Sequence, residues 1–376
     1  MRAGLARPAR PRVLMTTDAV GGVWTYSVDL AQGLARAGAE TTLVVLGPSP
    51  TPDQAAQAHA VPDLTLIDTC LPLDWMASEL AEVLEVGAAV RGLARGSGAD
   101  IVHLNSPALA AEGGFAAPVI GACHSCLATW WGAVKDGPMQ QDFRWRSQAL
   151  WQGMLACDAL VAPTAAFAED TARAYEIPRP FVVHNGRRPA PPALAAREAM
   201  VFTSGRLWDE GKNIAVLDRA AALIEAPLQA AGPLQGPSGG PVVLKNAQAL
   251  GRLSSEAVGR WLARAPIFAS AALYEPFGLG VLEAAQAGCA LVLSDIPTFR
   301  ELWDGAAVFC DPESPEAFAA AFRDLLADPV HAERLGQQAR ARAGRYTVEA
   351  MTAGVLDLYR HYQPELFPML PAEAAA

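Results

Sequence analysis

Short, uniformly apolar runs recur along this 376-residue chain, and each is followed by a turn and a helical stretch. The segment 12–18, Arg-Val-Leu-Met-Thr-Thr-Asp, reads as the first strand. It leads into Gly21-Gly22 and a helix from about Val23 to Ala37, which Gly38 ends before a second strand at Thr41 to Leu46. Further strands are expected at 101–104, 118–122, 159–162 and 181–184. After a stretch rich in Pro and Ala the pattern restarts, with strands at 200–203, 242–244, 267–269, 290–293 and 307–309 and a last helix at about 348–362. None of these runs alternates apolar with polar residues, as expected of strands covered by helices on both faces. Such a chain makes two open, doubly wound parallel sheets of the α/β class, facing each other across a cleft. Ligands of these sheets bind at the carboxyl ends of the strands.

The composition narrows the partners. Hydrophobic residues make up 52% and charged residues 18%, enough for large cores and too apolar for global disorder. The net charge of -10 argues against nucleic acid, whose phosphates need clustered Lys and Arg. No apolar run is long enough to span a membrane, and none precedes the first strand, so a cytoplasmic location is expected. Arg2, Arg7, Arg10 and Arg12 form a basic arm that reads as a tail, with a weak membrane-surface contact as the sharper alternative. Cys123 and Cys126 form a C-x-x-C without the second pair that zinc needs, so they read as buried thiols.

Two segments carry chemistry. In the first, Glu275 precedes Pro276-Phe277-Gly278-Leu279-Gly280, which opens a helix that contains Glu283 and ends at Gly288. A helix N-terminus offers unpaired N–H groups and partial positive charge, which suits a diphosphate. Glu275 and Glu283 are spaced to accept hydroxyls from different parts of one elongated ligand. The second segment, Ser204-Gly205-Arg206 through Lys212-Asn213, follows a strand directly. Arg206 and Lys212 bring two cations to one loop, which is what neutralising a diphosphate without a metal requires. No Asp-x-Asp occurs in the chain, so no metal or other cofactor is expected.

The order Gly-Arg-x5-Lys-Asn, then Glu-x7-Glu with Pro-Phe-Gly-Leu after the first Glu, then Ala287-Gly288, resembles family 4 (GT4) of the retaining glycosyltransferases. His184-Asn185-Gly186 and Gly21-Gly22 resemble that family's Asn-Gly turn and N-terminal glycine loop. The resemblance implies the GT-B fold: a Rossmann-like acceptor domain over 1–187, a linker over 188–198 and a Rossmann-like donor domain over 199–347. The helix at about 348–362 would pack back on the first domain, leaving 363–376 as a tail. It also implies that Arg206 and Lys212 bind the diphosphate of a nucleotide-sugar donor. Glu275 and the backbone of Phe277, Gly278 and Leu279 would hold the sugar, Glu283 the ribose, and Gly22, beside Gly21, would sit against the diphosphate. His124 matches a histidine near the reacting carbon.

From the residues alone, a His on a strand-end loop can hydrogen-bond a sugar hydroxyl and titrate near neutral pH. Trp130 and Trp131, with Lys135, are read either as a platform for the acceptor sugar or as packing residues. Trp24 stands where many family members carry an acidic residue. The expected reaction moves a hexosyl group from a nucleoside-diphosphate sugar to an acceptor hydroxyl on a glycan, lipid-linked or small molecule. A nucleotide-sugar epimerase, a sugar phosphorylase or a non-catalytic binding partner on the same fold are the alternatives. A nicotinamide enzyme would need G-x-G-x-x-G, which the loop after the first strand lacks.

Overall fold

The computed structural model describes residues 10–189, 196–236 and 240–367. Arg2 and Arg7 of the basic arm, most of the linker and the expected tail from 368 onward lie outside the described residues.

The first domain alternates strands β1 (Arg12–Asp18), β2 (Glu40–Leu46), β3 (Leu64–Asp68), β4 (Ile101–Leu104), β5 (Val119–Ala122), β6 (Ala159–Ala162) and β7 (Phe181–Val182) with helices. These are α1 (Gly22–Arg36), α2 (Pro52–His59), α3 (Leu80–Ser97), α4 (Leu127–Val134), α5 (Gln141–Ala156) and α6 (Ala165–Tyr175). The second domain has β8 (Val201–Ser204), β9 (Leu228–Ala231), β10 (Gln248–Gly251), β11 (Ile267–Ser270), β12 (Ala290–Ser294) and β13 (Val308–Cys310). Its helices are α7 (Ile214–Ala221), α8 (Ser255–Arg264), α9 (Leu279–Gln286), α10 (Pro297–Trp303), α11 (Pro315–Ala327) and α12 (Pro329–Ala343), and α13 (Val348–Tyr362) closes the chain.

Among the described residues, the first sheet runs β3-β2-β1-β4-β5-β6-β7 and the second β10-β9-β8-β11-β12-β13, every neighbour parallel. This is the GT-B architecture. Each order reverses beside its first strand, so the switch points lie between β1 and β4 and between β8 and β11. Helices diverge to opposite faces there and leave a crevice at the strand ends. Each sheet is buried on both faces: Met15 and Leu43 pack on one side of the first, Leu14 and Val44 on the other.

Val242–Leu244 is not the expected strand. Val243 is 75% exposed, and the neighbouring places in the sheet are taken by β9 and β10. The reason is local: the Asp218 carboxylate accepts from the backbone N–H of Lys245 (3.0 Å), Asn246 (2.9 Å) and Ala247 (2.8 Å) and turns the chain there. Strand β3 was not expected at all. It sits at the sheet edge, half exposed, and its Leu-Thr-Leu-Ile-Asp lacks the continuous apolar run of a central strand.

Helix α13 packs on α1 of the first domain. A Cβ on Gly33 would lie 1.9 Å from Thr352 Oγ1, so the two helices approach at that glycine. His103 of β4 is fully buried between the hydroxyls of Tyr359 (2.8 Å) and Tyr26 (3.2 Å), pinning the helix to the sheet. Residues 363–367, expected in the tail, stay with this core, because Phe367 is buried against Tyr359. The chain's two passages between domains run side by side: a Cβ on Gly186 would lie 2.0 Å from Thr347 O, and Arg187 N donates to Tyr346 O at 3.2 Å.

Candidate active site

The loop after β8 opens with Arg206, whose Nη2 meets Asp209 Oδ2 at 3.1 Å and whose guanidinium lies 5.8 Å from the Trp208 ring. Asp209 caps the 3-10 turn Glu210–Lys212 by accepting from Gly211 N at 2.9 Å. Asn213 ends the turn in the left-handed region (φ 52°), and its amide bonds Ala271 O (3.0 Å) and Pro312 O (2.8 Å). The turn thus presents Lys212 in a fixed direction, and its ammonium pairs with the Glu275 carboxylate. The loop after β11 is stitched to the same turn, since Leu273 N donates to Gly211 O at 2.9 Å.

Phe277 is buried in the domain core edge-on to Tyr346, so only its backbone is offered to a ligand. Gly278 has φ 88° and caps α9. A side chain there would be strained whatever the space around it. Leu279 and Gly280 form the first turn of α9, where N–H groups lack partners within the helix. The N-termini of α1 and α9 meet across the crevice. A Cβ on Gly22, the first residue of α1, would lie 3.2 Å from Leu279 Cδ1; one on Gly21 would lie 3.9 Å from Arg206 Nη1. Neither helix end is capped by its own side chain. Two positive helix ends, Arg206 and Lys212 therefore converge where the two switch points face each other.

Glu283 lies one turn further along α9, with 30% of its side chain exposed. Arg187 Nε holds its Oε1 at 2.9 Å, and Arg187 Nη1 holds the buried Asp29 at 2.9 Å. Burial works against the charge on Arg187, but Glu283 and Asp29 outweigh it and its pKa is raised.

On the first-domain side of the crevice, Asp18 at the end of β1 accepts from Val20 N (2.7 Å) and Gly21 N (3.2 Å) and so shapes the glycine loop. Burial raises its pKa, against those hydrogen bonds and nearby Arg206. Asn105 donates to Thr16 O (2.5 Å) and Ser27 Oγ (2.9 Å), which turns its Oδ1 to His124 Nε2 at 2.7 Å. That bond makes Nε2 the protonated nitrogen and leaves Nδ1 an acceptor. Burial pulls the His124 pKa down to about 4, so His124 is a neutral hydrogen-bonding group and does not titrate near neutrality as expected.

Of the two readings of the tryptophans, packing describes Trp131. Trp131 is 8% exposed, packs on Phe143 and donates to Gly137 O at 3.0 Å, so it has no open face for a sugar. Trp130 donates to Asp209 Oδ1 at 3.2 Å, with its Nε1 close over Gly211, and joins the domains. Cys123 and Cys126 are buried with raised pKa values, which suits inert thiols. Among the described residues no helix is long and apolar enough to cross a membrane.

The profile of the family described as Glycosyltransferase Family 4 matches residues 20–190, and that described as Glycosyl transferases group 1 matches residues 242–342. The chain belongs to the family 4 glycosyltransferases. This family member is 26% identical over 394 residues to D-inositol 3-phosphate glycosyltransferase of Xylanimonas cellulosilytica, covering 91% of this chain and 92% of that one. It is 35% identical over 135 residues to glycogen synthase of Mycobacterium tuberculosis, and there it spans 33% of the relative's length. Sucrose-phosphate synthase from Thermosynechococcus elongatus shares the fold with TM-score 0.76 and 19% identity over 94% of this chain and 100% of that one. Anabaena HepE in complex with UDP-glucose does so with TM-score 0.71 and 17% identity over 93% and 99%.

Several contacts that shape this crevice are not readable in the sequence, because the partners are remote in the chain. Tyr274 OH meets Cys126 N (3.0 Å) and Thr129 Oγ1 (2.9 Å), binding the donor loop to the start of α4. Lys135 pairs with both oxygens of Glu210 at 2.7 and 2.6 Å. Glu301 caps α6 through Ala165 N and Ala166 N, both 2.8 Å, and meets His184 at 3.1 Å. Asp29 and Arg187 belong with them; a charge within the apolar face of α1 was their one visible sign.

Proposed function

We propose that this glycosyltransferase moves a hexosyl group from a nucleoside-diphosphate sugar to an acceptor hydroxyl, with retention and without a metal. The observation that carries this reading is the meeting of two uncapped helix N-termini with Arg206 and Lys212. Charge building on the leaving diphosphate is stabilised where donors are already aimed. Arg206 and Lys212 bind the phosphates, trading their bonds to Asp209 and Glu275 for charge-assisted bonds to the ligand. Glu275 then accepts hydrogen bonds from hydroxyls of the sugar, while the backbone amides of the Phe277–Gly278–Leu279 turn donate to the sugar's oxygens. Glu283 accepts those of the ribose.

His124 supplies a neutral acceptor, Nδ1, to a hydroxyl near the reacting carbon. Its immediate neighbours Asn105 and Tyr26 offer no carboxylate nucleophile, which favours attack by the acceptor on the face from which the diphosphate leaves. HepE is seen with UDP-glucose, which makes that the first donor to try. The test is a thermal-shift screen of nucleoside diphosphates and their sugars, followed by product analysis with and without acceptor. Stabilisation by a nucleoside diphosphate and acceptor-dependent glycoside formation are expected. Stabilisation by none, or turnover of the sugar nucleotide without an acceptor, contradicts the reading.

A further inference from the structure

Arg187 stands outside the expected donor signature, yet it bonds directly to Glu283 within it. Its guanidinium spans two carboxylates from different domains, Asp29 of α1 and Glu283 of α9, each at 2.9 Å. Its backbone is fixed from the second domain. Arg187 N donates to Tyr346 O at 3.2 Å, and Gln286 Nε2 donates to Arg187 O at 2.8 Å. Asp29 is 1% exposed, so it is a rigid anchor. Neutralising Asp29 does not by itself require Arg187, because Arg188 Nε also reaches Asp29 Oδ1 at 3.0 Å. The part Arg187 alone plays is to reach Glu283.

We infer that Arg187 is a positioning residue: held by Asp29, it fixes the Glu283 carboxylate so that its free oxygen reads the ribose of the nucleotide. Arg187 Nε takes Oε1, and among the described residues nothing bonds Oε2. A Glu side chain with 30% exposure otherwise samples several rotamers. A guanidinium fork restricts it to one, since its donors have a fixed geometry. The ribose-reading oxygen is thereby set by a residue anchored in the opposite domain, and nucleotide affinity becomes linked to how the domains sit. The inference rests on the proposal that Glu283 holds the ribose.

The test is the dissociation constant for a nucleoside diphosphate against that for its 2′-deoxy form, using the UDP, GDP and ADP pairs and whichever base binds. The wild type, Glu283→Gln, Arg187→Gln and Arg187→Lys are compared, with Asp29→Asn/Arg187→Gln as a variant that removes both buried charges should Arg187→Gln fold poorly. The wild type is expected to prefer the ribonucleotide by about tenfold, the size of one charge-assisted hydrogen bond. Arg187→Gln and the double variant should bring that ratio close to one, and Arg187→Lys should restore part of it. A merely structural role for Arg187 would weaken both nucleotides alike and leave the ratio intact. Such an intact ratio in Arg187→Gln or the double variant, with the ratio lost in Glu283→Gln, overturns the inference alone. A wild type that binds both forms equally overturns the ribose assignment, and the inference with it.

Discussion

Glu275 and Lys212 pair in the crevice between the sheets, both partly open to solvent. Losing either exposes no core, so their replacement should separate activity from folding. Glu275→Ala is expected to abolish glycosyl transfer while the circular dichroism spectrum and thermal midpoint stay near those of the wild type; full turnover in that variant would remove Glu275 from the site. Lys212→Ala should weaken nucleoside-diphosphate binding by about 10- to 150-fold, as loss of a bond contributing about 1.5–3 kcal/mol implies. Titration calorimetry reads this directly. These residues were legible in the sequence because a helix start, two glycines and two cations are local features. Trp131 stays undecided in the sequence for the opposite reason: whether an indole lies open or packs against Phe143 is decided by α5, which the motif does not contain. The protonation of His124 was misread, since the burial that lowers it comes from packing around the Asn105 network.

Elements explain what was and was not visible in the fold. Central strands such as β1 and β12 carry a buried run of three or four apolar residues, Val13–Met15 and Ala290–Leu293, and are plain in the sequence. Strand β9, Leu-Gln-Ala-Ala, has too little β-branched character to be recognised, and Val242–Leu244 resembles a strand more than β9 does. Only Asp218, donated from α7, decides between them. Close helix packing makes a second test. Gly33→Ala should destabilise the protein by about 1–3 kcal/mol, because its methyl group overlaps Thr352. Adding Thr352→Ala should recover part of that loss in urea denaturation.

The pinning of α13 also has a pH signature. Burial pulls the His103 pKa to about 3 and the His124 pKa to about 4, both below the ordinary value of about 6.5. The unfolded chain takes up protons that the folded one refuses. Stability is thus full above about pH 6.5 and falls as pH drops toward about 4, by up to about 1.4 kcal/mol per pH unit for each histidine. The half-buried His124 contributes the smaller share. His103→Gln should flatten the pH dependence of the urea midpoint below pH 6.5, and an unchanged slope would contradict the assignment.

At the scale of the molecule, the domains meet through Lys135–Glu210, Trp130–Asp209 and the Tyr274 hydroxyl, contacts between segments more than seventy residues apart. Lys135→Glu places like charges together. It should raise the donor KM and enlarge the radius of gyration in small-angle scattering; unchanged values of both would show that this contact does not set the domain arrangement. No sequence pattern announces such contacts, whereas the central strands of the two sheets that permit them are readable from local composition. The adjacency of Gly186 and Thr347 carries a further kinetic consequence. When the side-chain contacts between the domains part, the chain's own two passages still hold them here, so displacement is least beside Arg187 and Glu283. It grows toward Leu279, which lies about 6 Å farther along α9. Each swing would free the sugar end of the crevice while the nucleoside end stays gripped. We expect an ordered departure, glycosylated acceptor first and nucleoside diphosphate last. That order is readable as product inhibition by the nucleotide that is competitive against the donor and not against the acceptor.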